Sequence, residues 1–179
     1  MTTETEIKTF RQRLEWDADK GEIVDGSVRY LLIRPDTLMS MFALLPPEPR
    51  AQALAALMRS TRQFGANSAR RYLSMAAEDG ERLLATITQT APQLGWGIWT
   101  LSRDGDRAFS LEVGNSPFAA GYGPAEHPVC APIAGMLAAV TGLVTGVAMQ
   151  GEEIACAATG AAVCRFRATP APWEGFYES

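Results

Sequence analysis

Histidine and the common nucleotide-binding motifs are what this sequence has least of. His127 is its only histidine, so a Ser-His-Asp triad would have to use that residue. No Gly-x-Gly-x-x-Gly follows a strand-like run and no P-loop occurs, so the sequence offers no recognisable cradle for a dinucleotide or a nucleoside triphosphate. A reductase needs a source of hydride, and the sequence shows no site for one. Whether the protein is an enzyme is therefore left open.

Positive charge and long apolar runs are scarce as well. The net charge is −4, which argues against a nucleic-acid-binding surface because such surfaces carry clustered basic residues. The longest apolar stretch, residues 131–149, is broken by proline, threonine and three glycines, so no membrane span is expected. The first six residues are polar and acidic, unlike a signal peptide. Together with an odd cysteine count of three, this predicts reduced thiols or a bound metal in the cytoplasm.

The hydrophobic pattern changes from helical to strand-like near Leu94. Before that point we predict a strand at 28–33 and helices at 37–45, 50–64, 69–77 and 81–90, with breaks at Gly65 and Pro92. After it we predict strands at 96–101 and 109–113, a loop at 115–124, a helix at 129–144, and strands at 147–157 and 162–168. This order predicts an α+β fold, an antiparallel sheet packed with helices. Residues 1–27 are expected to form an N-terminal arm, 28–169 a single domain, and 170–179 a loose tail.

All three cysteines, Cys130, Cys156 and Cys164, lie in the last third of the chain. Cys156 and Cys164 flank Thr159-Gly160, so they can face each other across a turn if the flanking runs are strands. Thiolates are soft ligands that favour Zn²⁺, and a carboxylate or an imidazole can complete a tetrahedral site. The alternative is that the three cysteines are small buried apolar residues, and the residues alone leave both possibilities open.

The layout Cys130, then Glu153-x-x-Cys156, then seven residues and Cys164-Arg-Phe resembles the 4-vinyl reductase domain family. That family includes the zinc-bearing aromatic-sensor domains of phenol- and xylene-responsive bacterial activators, and small proteins named bacteriochlorophyll 4-vinyl reductases. The resemblance runs over residues 30–167 and is strongest over 115–166. It implies an antiparallel sheet with helices packed on it, a fold shared with subunits of the vesicle-tethering TRAPP complex, and a homodimer.

The resemblance also implies a set of metal ligands. In the zinc-bearing members the metal is bound by the residues that match Cys130, Glu153, Cys156 and Cys164. Three sulfurs and one carboxylate fill a tetrahedral zinc site and leave no position for water, which is typical of a structural site. In a regular strand Glu153 and Cys156 point to opposite faces, so either the strand is bulged or ends there, or Glu152 takes the role. His127 is another candidate for the fourth ligand.

Aromatic residues form the second candidate site. We predict that a hydrophobic ligand is bound by Trp96, Trp99, Phe109, Phe118, Tyr122 and His127. Core packing is the alternative for each of these residues. If the ligand carries carboxylates, Arg29, Arg70 and Arg71 are candidates to bind them, because arginine pairs with carboxylates through two hydrogen bonds.

The stretches at residues 115–124 and 128–137 look most like the bacteriochlorophyll members, which act on or carry tetrapyrrole intermediates. We therefore expect a protein that holds a planar hydrophobic ligand, a (Mg-)tetrapyrrole intermediate of bacteriochlorophyll biosynthesis, with a structural zinc. Enzymes of that pathway are candidate partners. The alternatives are a divinyl-chlorophyllide vinyl reductase that uses an external reductant, an aromatic-ligand sensor module, and a dimeric scaffold without a ligand.

Two sequence features add to the expectation of a homodimer. One is the small-residue face formed by Gly135, Ala139 and Gly142, which allows another element to approach closely. The other is the aromatic tail, with Trp173, Phe176 and Tyr177.

Overall fold

The computed structural model describes residues 8–75 and 79–172. The chain divides into two compact units, Met1–Arg34 and Pro35–Ser179. In its described part the first unit consists of α1 (Phe10–Arg13) and a three-stranded antiparallel sheet of β1 (Glu15–Asp17), β2 (Glu22–Asp25) and β3 (Val28–Tyr30). Arg13 and Asp25 form a salt bridge of 3.2 Å that ties α1 to the end of β2. The segment predicted as an arm thus contains a hairpin whose strands are too short for an alternating pattern to be visible in the sequence.

The second unit contains a four-stranded antiparallel sheet and five helices within its described part. The helices are α2 (Pro35–Ala43), α3 (Pro47–Met75), α4 (Gly80–Gln93), α5 (Pro117–Tyr122) and α6 (Ala131–Thr145). The strands are β4 (Ile98–Arg103), β5 (Phe109–Gly114), β6 (Met149–Ala155) and β7 (Cys164–Pro170), in the order β4-β5-β7-β6. The predicted α+β class is confirmed. In the described residues no helix is both long and apolar enough to cross a bilayer.

Helix α3 is one continuous helix of 29 residues, so the predicted break at Gly65 is wrong. A Cβ placed on Gly65 would lie 2.7 Å from Cε of Met136 on α6. The glycine therefore lets the Met136 side chain reach the backbone of α3. Glycine inside a helix costs about 1 kcal/mol relative to alanine, and this packing contact offsets that cost.

Two other boundaries differ from the prediction for local reasons. Pro92 lies within the last turn of α4, which ends at Gln93, because a proline there removes only one backbone hydrogen bond. The predicted loop at 115–124 contains the short helix α5. Ser116 caps α5 by accepting a hydrogen bond from the Ala119 N–H at 3.5 Å, and Pro117 follows at the first helical position.

One face of the four-stranded sheet is buried beneath α6. The register sets Trp99 opposite Val113 and Val113 opposite Cys164. Residues directly opposite each other in an antiparallel sheet point to the same face. The next row along the strands places Glu153 opposite the buried Phe166. Both Cys164 and Glu153 are therefore carried on the core face.

Helix α6 lies between β6 and α3, close to the backbone of each. A Cβ on Gly151 of β6 would collide with the carbonyl group of Ala134, and a Cβ on Gly135 would collide with the carbonyl group of Met58 on α3. Gly135 therefore serves packing within one chain, and this part of the argument for a dimer is lost. The homodimer stays a prediction, and the tail residues Trp173, Phe176 and Tyr177 lie outside the described residues.

We predict opposite effects for two glycine-to-alanine substitutions in α6. Gly135→Ala should lower the free energy of unfolding by about 1–3 kcal/mol, because its methyl group forces α3 away. For Gly142→Ala the nearest atom to the new Cβ is the Val147 carbonyl oxygen at 3.4 Å, an ordinary contact. Higher helix propensity should then raise stability by up to about 1 kcal/mol. Urea denaturation at fixed metal content measures both; equal effects would contradict the described packing of α6.

Candidate functional site

Cys130, Glu153, Cys156 and Cys164 converge at one point of the second unit. Their ligand atoms all lie within 4.8 Å of one another, close enough to hold a metal ion. The Cys130 sulfur lies 3.9 Å from that of Cys156 and 3.7 Å from that of Cys164. All three cysteines are fully buried and none forms a disulfide. Cys130 immediately precedes α6, whereas the other three residues belong to the β6–β7 hairpin.

A β-bulge resolves the orientation problem posed by the sequence. Glu153 pairs with Phe166 and Ala155 with Arg165, so Ile154 is an extra residue without a partner of its own. An extra residue shifts the following side chains to the other face of the strand. Glu153 and Cys156 therefore point to the same side.

The two rival candidates for the fourth ligand lie outside the cluster. Glu152 is paired with Arg167 in the ladder and is exposed. His127 is exposed in the segment that leads to α6. Of the three candidates, Glu153 is the one that the structure brings to the cysteines.

Hydrogen-bond donors surround the cluster and favour negative charge in it. The Cys130 backbone N–H donates to Oε2 of Glu153 at 2.7 Å, and the Ala157 N–H donates to the Cys164 sulfur at 3.3 Å. The Ser116 hydroxyl lies 3.2 Å from the Cys130 sulfur. Cys130 also occupies the N-cap position of α6, where the positive end of the helix dipole stabilises anions. Sequence analysis missed Ser116, although Ser-Pro at the start of a helix was a visible capping signal.

The chemistry of these donors fits a closed metal site. Zn–S bonds of about 2.3 Å in a tetrahedron place sulfurs about 3.8 Å apart, close to the separations here, but packed thiols lie at similar distances. The carboxylate distinguishes the two cases. Oε1 of Glu153 is buried and has no hydrogen-bond partner among the described residues, which is unfavourable for a polar atom. A divalent cation would supply that partner, so Oε1 is the oxygen that would bind it.

Without a cation the cluster resists ionisation. Burial is the main cause that raises the pKa of Glu153 to about 8, and contact with the Cys156 thiol adds to it. Contacts with the Cys156 and Cys164 thiols raise the pKa of Cys130. Contacts with the Cys130 and Cys156 thiols lower the pKa of Cys164. Protons are thus shared unevenly in the metal-free protein, and the Cys164 thiol ionises more readily than that of Cys130.

Three of the six predicted ligand-binding residues touch one another. The half-buried Trp96 ring lies 6.5 Å from the Trp99 ring and 5.2 Å, edge-on, from the Phe118 ring, measured between centroids. The Trp99 Nε1–H donates to the Trp96 carbonyl oxygen at 3.1 Å. Trp99 and Phe118 are themselves buried. We call Trp96, Trp99 and Phe118 the aromatic cluster.

The other three predicted residues lie elsewhere. Phe109 pairs with Arg103, four residues along β5 from the position opposite Trp99, or about 13 Å away at the rise of a strand. Its ring faces the Arg103 guanidinium at 5.2 Å. Tyr122 is half-buried at the end of α5, and His127 is exposed.

The arginines proposed for ligand carboxylates belong to different units. Arg29 lies in the first unit, where it pairs with Glu22 at 3.3 Å. Arg70 and Arg71 lie on α3 of the second unit, and Arg70 donates to the Asn67 side chain at 2.9 Å.

The metal-ligand cluster and the aromatic cluster share one face of the sheet. Trp99, Val113 and Cys164 form a row across three neighbouring strands, so Trp99 and Cys164 are about 10 Å apart at the usual strand spacing. Ser116, which contacts Cys130, is two residues from Phe118. The metal-ligand residues therefore help to hold the elements that carry the aromatic rings.

This fold and site are similar to those of the vinyl-4-reductase class of domains. A family model for the vinyl-4-reductase domain matches residues 109–170, a segment that spans β5 to β7 and contains all four cluster residues. The resemblance noted from the sequence is confirmed over that segment. Among curated proteins, none matches the chain significantly.

Solved structures show the same fold at low sequence identity. The phenol-responsive sensory domain of the transcription activator PoxR, solved with phenol, has a TM-score of 0.77 and 20% identity over 89% of this chain and 86% of that chain. A trafficking protein particle complex subunit 3 from Naegleria fowleri, covalently bound to palmitic acid, has a TM-score of 0.54 and 11% identity over 77% and 95%. A vinyl-4-reductase family protein from Methanocaldococcus jannaschii has a TM-score of 0.48 and 15% identity over 77% and 91%.

The raised pKa of Glu153 predicts how stability depends on pH in the metal-free protein. The folded-state pKa of about 8 exceeds the ordinary value of 4.5, so folding favours the protonated acid. This contribution is complete below the ordinary value and is lost as the pH rises through the folded value. Stability of the chelator-treated protein should therefore fall between about pH 5 and pH 9. Thermal unfolding at a series of pH values measures it.

Glu153→Gln should remove most of that fall, because an amide does not ionise. Glu152→Gln is the matched control, since that carboxylate is exposed, and it should keep the parent's pH dependence. Identical profiles for the two variants would contradict the assignment to Glu153.

Proposed function

We propose that this chain is a metal-stabilised binding domain for a planar hydrophobic small molecule. The observation that carries the proposal is the buried Cys130, Glu153, Cys156 and Cys164 cluster beside the aromatic cluster. Four protein ligands leave a zinc ion no open position for water, so the metal's role would be structural. It would fasten α6 to the β6–β7 hairpin and so support the sheet face that carries Trp99.

The aromatic cluster supports the ligand class. Trp96 is half-buried while its two ring partners are buried, so its ring is the member of the cluster with a surface left to meet a ligand. Aromatic faces stack favourably on flat apolar molecules, and small-molecule pockets are mostly apolar with few polar groups. We propose a magnesium tetrapyrrole as the ligand, in line with the resemblance of residues 115–124 and 128–137 to the bacteriochlorophyll members.

A smaller aromatic ligand is the second candidate. The fold is shared with a phenol-responsive sensory domain solved with phenol, which favours a sensor module as the alternative to a carrier. Under either function the ligand would bind at the aromatic cluster. The vinyl reductase alternative differs in its products, so supplying divinyl-chlorophyllide with a reductant and analysing the products separates it from a binding protein.

We expect purified protein to carry about one zinc ion per chain, held by four protein ligands. Cys156→Ser should lose both metal and solubility, because the free energy of binding a structural zinc contributes to folding and reaches roughly 10 kcal/mol or more in zinc-finger peptides. Elemental analysis of protein purified without chelator measures the metal. Glu152→Gln and His127→Asn are controls that should keep it. A metal-free parent protein would remove the zinc proposal.

We expect Mg-protoporphyrin to bind with a change in tryptophan fluorescence and in the ligand's own absorbance. Trp96→Ala should weaken binding about three- to tenfold, the loss expected for one aromatic stacking contact. Trp16→Ala is the control, because Trp16 is 64% exposed and lies in the first unit. No signal up to tens of micromolar ligand, roughly −6 kcal/mol of binding, would reject the tetrapyrrole. A phenol titration followed in the same way then tests the smaller ligand.

A further inference from the structure

A groove between α3 and α6 lies apart from both clusters described above. Its volume is about 560 Å³, within the range of about 300–1,000 Å³ that is usual for small-molecule sites. One wall is the outer side of α3, with Arg59, Arg62, Gln63, Asn67 and Arg70. The floor is the surface of α6 at Ala138, Ala139, Gly142 and Leu143.

The α3 wall concentrates positive charge in a chain whose net charge is −4. From Arg50 to its end at Met75, α3 contains no acidic residue. Arg59 and Arg62 are exposed, and neither pairs with a carboxylate in the described ranges 8–75 and 79–172. Because residues three apart on a helix are neighbours, their like charges repel. A bound anion would relieve that repulsion.

The arginines offer two anchoring points at different places along the groove. Arg59 and Arg62 are neighbours on α3, and Arg70 lies eight residues beyond Arg62, which is about 12 Å along a helix axis. Arg70 is oriented by its hydrogen bond to Asn67 at 2.9 Å. Each guanidinium can bind a carboxylate through two hydrogen bonds.

The floor limits the shape of an occupant. Ala138, Ala139 and Gly142 carry at most one side-chain carbon each, so a slim apolar body can lie close to the backbone of α6. Val147, Ala148 and Met149 form the edge beyond them. An apolar floor beside an arginine wall is unsuited to nucleic acid, which needs contacts to successive phosphates along its backbone.

We propose that this groove binds an amphipathic small molecule with a slim apolar body and carboxylates at both ends. The carboxylates pair with Arg59 and Arg62 at one end and with Arg70 at the other, and the apolar body covers the α6 floor. This site is separate from the aromatic cluster and needs no metal ligand. It therefore stands or falls independently of the proposed function.

Isothermal titration calorimetry of the full chain, purified with its metal, tests the site with decanedioate. We expect binding with Kd below about 1 mM, weakened by added salt because exposed charges are screened. Decane-1,10-diol has a body of the same length without charge and should show no measurable binding. Decanedioate without measurable heat, or binding the diol equally well, would overturn the proposal.

Charge-reversal variants locate the site. Arg62→Glu should weaken decanedioate binding at least tenfold, whereas Arg107→Glu, which makes the same charge change at the exposed β4–β5 turn, should change it less than twofold. Equal weakening by both would show a general charge effect and reject the groove. Arg62→Gln, with its smaller change in charge, serves if Arg62→Glu fails to fold as judged by circular dichroism.

Filling the floor separates a small-molecule site from a docking surface. The Gly142→Ala methyl group adds bulk to the floor without a clash, so it should weaken decanedioate binding severalfold in a folded protein. Sedimentation measures the mass of each variant. If Arg62→Glu changes the mass of the protein while decanedioate affinity stays the same, the groove is an interface between copies and the proposal is wrong.

Discussion

The close approach of α6 to two other backbones sets the geometry of the second unit. The helix meets β6 where Gly151 leaves room for the Ala134 carbonyl group, and it meets α3 where its own Gly135 leaves room for that of Met58. Interiors are packed too densely for such contacts to shift freely. The depth of α6 is therefore fixed, and so is the position of Cys130 at its start relative to the hairpin that carries the other three cluster residues.

The link from Cys130 to Glu153 joins helix to strand in two ways. The Cys130 N–H binds one carboxylate oxygen of Glu153, which orients the side chain before any cation arrives. The other oxygen is left buried without a partner in the described part of the chain. A carboxylate held in this way loses little conformational entropy on binding a metal. The polypeptide thus accepts a poorly satisfied group in the metal-free state and gains a preorganised ligand.

Periodicity and turn residues predicted most of the second unit, and the errors have local causes. The strands on either side of Arg103-Asp-Gly-Asp106, the long helix before Gly146 and the pairing of Cys156 with Cys164 across a short connection were all visible in the pattern. The continuity of α3 through Gly65 was not, because it depends on Met136, which is 71 residues further along the chain. The bulge at Ile154 was recognised only as one possibility, since a bulge depends on the partner strand. Phe109 was grouped with the tryptophans because the sequence does not show at which end of the hairpin each ring lies.

The bulge at Ile154 also affects what the edge of the sheet can do. Strand β6 is the edge strand of the four-stranded sheet, and a long regular edge is a template on which other chains can add strands and aggregate. The unpaired Ile154 interrupts the regular spacing of its backbone groups, and the exposed Glu152 places a charge on the same edge. The irregularity that turns Cys156 toward Glu153 therefore also protects this edge from intermolecular strand pairing.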